Sequence, residues 1–209
     1  MQMKLLSLIL LVVTTLCAEN TKVYLYTPEI NVNNFKSLKT SFDTYLSTYG
    51  EYEFQPFSDK ETFEKHLKKR ESIVILSSWH YREIGKKYNL EAMLVAKHKG
   101  SITDRKILVG KKNMILKGVV TSAYPKEYTN ELLNTITQEN AKALSVLKVP
   151  KEIDALMSVG FGMSKFALVS KDTFEHLQII NPVLSKELKI YYESVPEYRM
   201  LLACNAAEK

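Results

Sequence analysis

The chain has 209 residues, 45% of them hydrophobic, 10% aromatic and 25% charged, with only seven glycines and six prolines. These proportions exclude disordered, coiled-coil, collagen-like and low-complexity chains, and leave length for one or two domains with real cores. The net charge of +6 is carried mainly by lysine, with arginine only at positions 70, 82, 105 and 199. No element concentrates arginine and aromatics, so no nucleic-acid partner is expected; the basic balance favours an anionic ligand or a negatively charged envelope surface.

Residues 1–18 have a basic start, a short apolar core and a small residue, Ala18, before a polar stretch. This is the pattern of a secretory signal peptide, and the apolar run is too short to span a bilayer. Cleavage after Ala18 is expected, giving a soluble periplasmic protein; lipidation at Cys17 is the second alternative and is disfavoured by the bulk of Leu16. With the signal removed only Cys204 remains, which cannot form an internal bridge and lies in MLLAC, read as a buried strand.

Beyond the signal, residues 23–27 (VYLYT) read as a strand and residues 35–49 as an amphipathic helix. Residues 52–57 are a second strand, and Ser58 with Glu61 form a capping-box pattern opening a helix. Residues 73–77 (IVILS) have the continuous apolar character of a strand buried on both faces, followed by a helix over 78–89. This alternation is that of an α/β block. It is interrupted by two consecutive strands, 90–98 and 102–109, with a hairpin-like connection at Lys99-Gly100-Ser101.

Alternation resumes with strands at 118–122, 143–149 and 166–170 and helices from Pro125, over 150–159 and over 172–179, the last closed by Asn181-Pro182. Strands at 188–193 and 198–204 end the chain. The expected organisation is a signal peptide (1–18), a first α/β lobe (19–110), a second α/β lobe (111–187) and strands returning to the first lobe (188–209). Each lobe is expected to be a mostly parallel sheet flanked by helices, with hinge crossovers near 90–112 and 186–198.

Several chemistries lack their residues. The four histidines show no helical metal-ligand spacing, Gly160-x-Gly162 lacks the third glycine of a dinucleotide fingerprint, and no phosphate-cradling loop or nucleophile elbow occurs. No catalytic couple stands out among the scattered carboxylates, so no enzyme activity, metal or organic cofactor is expected. In open α/β sheets ligands bind beyond the carboxyl ends of the strands. Those ends present Tyr26 and Thr27, Ser78 and Trp79, and Thr121, Ser122 and Tyr124. These seven are the candidate ligand-binding residues; their hydroxyls suit an oxyanion, although Ser and Thr also cap helices without any ligand.

The order of elements resembles the type 2 periplasmic solute-binding proteins, and within that fold the phosphate/phosphite/phosphonate-binding family of ABC transporters. The stretches that carry the resemblance are 72–81 (SIVILSSWHY), 115–121 (ILKGVVT) and 149–170 (VPKEIDALMSVGFGMSKFALVS). The resemblance implies capture of a small, phosphonate-like anion by a monomeric binding protein that serves an ABC permease. The alternative is a degenerate domain acting as a sensor or interaction module in the envelope. The sequence departs from the family's Ser/Thr-Gly anion turn, because Ala123, Tyr124 and Pro125 follow Thr121-Ser122.

Overall fold

The computed structural model describes residues 21–29, 34–67 and 72–205. The expected signal peptide and Cys17 lie outside the described residues. No helix among those described is long and apolar enough to cross a membrane.

The first half alternates as β1 (Thr21–Tyr26), α1 (Phe35–Leu46), β2 (Tyr52–Pro56), α2 (Lys60–Leu67), β3 (Ser72–Leu76), α3 (Ser78–Ile84) and β4 (Leu90–Val95). After the two-residue β5 (Thr103–Asp104) come β6 (Lys106–Lys111), β7 (Gly118–Ser122), α4 (Lys126–Thr137) and, past a 3-10 turn, β8 (Leu144–Lys148). Then follow α5 (Glu152–Gly160), β9 (Phe166–Ser170), α6 (Lys171–Ile180), α7 (Pro182–Glu187), β10 (Leu188–Glu193), β11 (Glu197–Tyr198) and β12 (Leu201–Asn205).

These strands form two five-stranded sheets. The first has the order β2-β1-β3-β12-β4, with β1 parallel to β2 and β3, and β12 antiparallel to its neighbours. The second has the order β10-β6-β9-β7-β8, with β7 parallel to β8 and β9, and β6 antiparallel to β9 and β10. The chain crosses between the sheets twice, and at those crossings β5 pairs antiparallel with β11 in a two-stranded ribbon.

This topology corrects several expectations. Residues 102–109 are two strands split at Arg105, and they form no hairpin with β4, whose partner is β12. The tight turn at Lys99-Gly100 closes only a single bridge, His98 to Ser101, after which the chain leaves for the other sheet. Both β6 and β10 belong to the second sheet, so the crossings fall at 96–105 and 194–200 and not at the lobe boundaries 110 and 188. The helix expected over 78–89 ends at Ile84, and the strand expected over 198–204 divides into β11 and β12. Asp59, not Ser58, caps α2, its carboxylate accepting from Thr62 N at 2.8 Å. Asn181 closes α6 as expected, and Asn181-Pro182 also opens the further helix α7, with Leu184 N donating to the Asn181 side chain at 3.1 Å. Cys204 is half-buried on β12.

Packing follows from the apolar strands. Val74 and Leu76 on β3, and Ile107, Leu108 and Val109 on β6, are fully buried. Each such side chain contributes about 1.5–3 kcal/mol by leaving water. At Gly110 β6 lies so near β9 that a Cβ would come within 2.6 Å of the Phe166 ring. One apolar cluster runs from Tyr24, Leu76 and Trp79 of the first lobe to Leu108, Tyr124 and Leu168 of the second. The lobes therefore share a core beneath the cleft.

Candidate functional site

The carboxyl ends of β1, β8 and β9 face one another across the cleft beside the β5–β11 ribbon. Between them lies a cavity of about 570 Å³. The segment after β1 contributes Pro28 and Glu29, the start of α5 contributes Lys151 and Glu152, and the start of α6 contributes Asp172 and Thr173. Asp104 of β5, Lys106 of β6, and Tyr198 and Arg199 at β11 complete the wall on the hinge side.

This lining is highly charged, with five carboxylates (Glu29, Asp104, Glu152, Asp172, Glu197) against Lys97, Lys106, Lys151 and Arg199. Lys106 is buried and its Nζ lies 2.7 Å from Glu29 Oε1, so the pair joins the two lobes. Burial works to lower the Lys106 pKa, but Glu29 and Glu152 outweigh it and hold the ammonium above its ordinary value. The same ammonium lies 4.9 Å from the centre of the Tyr124 ring. Arg199 binds Asp172 through both terminal guanidinium nitrogens, one of them at 3.3 Å. Glu197 on the ribbon accepts from Arg82 of the first lobe at 2.8 Å and from the Tyr128 hydroxyl of the second at 2.7 Å.

Glu152 is 2% exposed, and its carboxylate is fully satisfied inside the protein. Oε1 accepts from Ser170 N at 2.6 Å and from the Tyr124 hydroxyl; Oε2 accepts from Ser170 Oγ at 2.5 Å and from Thr173 Oγ1. Burial raises its pKa, while Lys106 and the hydroxyl donors oppose the rise. Asp104 has a different environment. Its described hydrogen bond is from Arg105 N at 2.8 Å, and burial, with Asp172 nearby, raises its pKa. Asp104 thus faces the cavity as a half-buried carboxyl with no ion pair among the described residues.

None of the seven residues expected to bind ligand lines this cavity. Tyr26 and Thr27 line a narrower cleft of about 140 Å³ with Pro150 and Lys151, which adjoins the larger one through Pro28 and Lys151. The Thr27 hydroxyl meets Ser77 Oγ at 2.9 Å and accepts from Glu29 N at 3.2 Å, so it positions Glu29. Ser78 is buried in the first turn of α3. Trp79 is 3% exposed, stacks on Tyr128 at 5.4 Å and meets Tyr124 edge-on at 6.1 Å. Thr121 is fully buried, its hydroxyl within 3.0–3.1 Å of Ser164 Oγ and the Ala155 and Phe166 carbonyls. Ser122 Oγ accepts from Tyr124 N at 3.2 Å and from Thr129 Oγ1 at 3.1 Å. Tyr124 is fully buried and supports both Lys106 and Glu152. Of these side chains, Thr27 and Tyr124 back the charged wall, through Glu29 and through Lys106 and Glu152.

Three charged residues absent from the sequence-based candidates, Glu29, Glu152 and Asp172, lie two to four positions beyond the ends of β1, β8 and β9. Glu152 and Asp172 are first-turn acids of α5 and α6, a common helix signature that does not by itself mark a site. Lys106 had a clearer signal, a lysine entering the apolar run ILVG. No group of three or more His, Cys, Asp or Glu among the described residues is arranged to hold a metal ion.

No protein-family model matches this chain, and no curated protein matches its sequence. Its fold is nevertheless shared with solved structures. A binding-protein component of an ABC phosphonate transporter from Pseudomonas aeruginosa superposes with a TM-score of 0.65 at 13% identity, over 90% of this chain and 69% of that one. PhnD1 from Prochlorococcus marinus, solved with methylphosphonate, gives 0.65 at 13% identity over 88% and 76% of the two chains. An arginine transport periplasmic binding protein from Legionella pneumophila gives 0.57 at 11% identity over 88% and 86%. The chain therefore has the two-lobed α/β fold of the type 2 periplasmic solute-binding proteins. Two of these three neighbours are described as binding proteins of transport systems, and a further one, the BvgS VFT2 domain from Bordetella pertussis, gives a TM-score of 0.56 at 12% identity over 88% and 79% of the two chains.

Proposed function

We propose that this protein is an exported, non-catalytic solute receptor that captures a small polar molecule between its lobes for an ABC-type transporter. The observation that carries the reading is the charged cavity where strand ends of both sheets meet beside the hinge ribbon. A ligand touching Glu29 on one lobe and the start of α6 on the other favours the closed arrangement by its differential affinity. The ligand class follows from the lining. Glu152 already engages the Ser170, Thr173 and Tyr124 donors, and Asp104 presents a carboxyl outside the described ion pairs. A solute bearing an ammonium group fits this wall better than the plain phosphonate-like anion expected from the resemblance.

A thermal-shift screen with amino acids, alkylamines, methylphosphonate and inorganic phosphate tests the reading. Amine-bearing solutes should raise the melting temperature saturably. A response confined to phosphate and methylphosphonate would overturn the ligand class. Silence from every class would favour a domain that contacts another envelope protein instead. That second reading draws on the aromatic stack of Trp79, Tyr124 and Tyr128, which joins the lobes below the cavity. Export is tested by the mass of the mature protein, which should begin at Glu19; a diacylglycerol adduct at Cys17 would indicate the anchored form.

A further inference from the structure

We infer that Glu152 is a built-in counter-anion that fills the oxyanion-binding hole of the second lobe, and so determines specificity by excluding acidic head groups from the start of α6. Three features place it in that role. The hole has the donors an oxyanion requires: a backbone N–H at Ser170, the N-cap of a ten-residue helix, together with the Ser170, Thr173 and Tyr124 hydroxyls. Glu152 uses both carboxylate oxygens, each accepting two bonds, which exhausts the donors that converge there. The buried Lys106 ammonium on the Tyr124 ring adds the positive charge such a hole needs, and its direct partner is a second internal carboxylate, Glu29.

The arrangement is a charge-neutralised interior whose anion belongs to the chain. An incoming phosphonate or carboxylate would have to displace a covalently attached competitor, and would meet the Glu152 and Glu29 charges as it did so. Ligand acids are thereby confined to the Arg199 and Lys97 side of the cavity.

The test uses small anions and needs no knowledge of the natural ligand. It therefore stands or falls separately from the ammonium reading of the cavity. In Glu152→Ala the missing Cγ and carboxylate correspond to one acetate ion. Acetate should restore thermal stability to this variant saturably, beyond sodium chloride at equal ionic strength. It should bind the variant roughly tenfold or more tighter than the wild type, and Ser170→Ala added to Glu152→Ala should abolish the rescue. Rescue no better than chloride in a folded Glu152→Ala protein would overturn the proposal. Should that variant not fold, the wild type still decides. Titration with acetate and methylphosphonate should leave the amide resonances of Ser170 and Thr173 unmoved. A saturable shift of those amides would show the hole open to outside anions, contrary to the proposal.

Discussion

Lys106 on β6 and Glu29 beyond β1 are 77 positions apart in the chain, and they meet at 2.7 Å in the floor of the cleft. Neither side chain is more than about one-fifth exposed. Removing one member of such a pair strands the other as an uncompensated buried charge, at a cost of about 3–5 kcal/mol. Lys106→Ala should therefore destabilise the protein by about that amount, since it leaves both Glu29 and Glu152 without their cation. Lys106→Met combined with Glu29→Gln should recover much of the loss, because the pair as a whole contributes far less than either member alone. Denaturant titration of wild type, Lys106→Met, Glu29→Gln and the double variant closes a double-mutant cycle and measures this directly.

The same pair sets an alkaline limit. The Lys106 pKa is raised in the folded protein by Glu29 and Glu152 acting against burial. Its stabilising contribution is complete below the unfolded value near 10.5 and is lost as pH rises through the higher folded value. Wild-type stability should fall steeply in that alkaline range, and the fall should be shallower in the Lys106→Met, Glu29→Gln double variant.

His80 gives an acid-side prediction. It is fully buried against Tyr26, Phe63 and Trp79, with Nε2 3.1 Å from Glu64 Oε1 and Nδ1 without a partner among the described residues. Burial depresses its pKa below 6.5, against the pull of Glu64. A depressed pKa means stability that is complete above 6.5 and lost as pH falls through the folded value. Melting temperature should decline over that window, and His80→Gln should remove this part of the decline. Glu64, itself lowered, titrates in a separate window below its ordinary 4.5.

Thr121 is fully buried in a closed set of hydrogen bonds to Ser164, Ala155 and Phe166. Thr121→Val should cost about 1–3 kcal/mol by leaving a buried acceptor unsatisfied, without altering the response to any solute. A normal melting temperature with lost solute response would instead return Thr121 to the binding surface.

The contrast between what was legible in the sequence and what was not has a physical basis. Residues 118–122, 166–170 and 188–193 are strands with the expected bounds because each is a compact run of β-forming side chains with a helix or turn signal close by. The sheet membership of β6 and β10 was not legible, since consecutive strands suggest a hairpin while their partners lie far along the chain. The site divides in the same way. Aromatics and hydroxyls at strand ends are visible from local pattern, and they form the cavity's backing at Thr27 and Tyr124. The charged wall depends on contacts such as Lys106 to Glu29 and Glu152 to Tyr124, which exist only once two lobes are folded against each other.

On the proposed function, a small amine-bearing solute binds between the lobes at Asp104. Calorimetric titration of the strongest amine-bearing solute from the thermal-shift panel into wild type and Asp104→Asn tests it most directly. Burial and the neighbouring Asp172 already disfavour the Asp104 charge, so the substitution should leave the ligand-free melting temperature unchanged or slightly raised. Affinity should fall by about tenfold or more, the loss of one charge-assisted hydrogen bond. Equal affinity in the two proteins would contradict the claim.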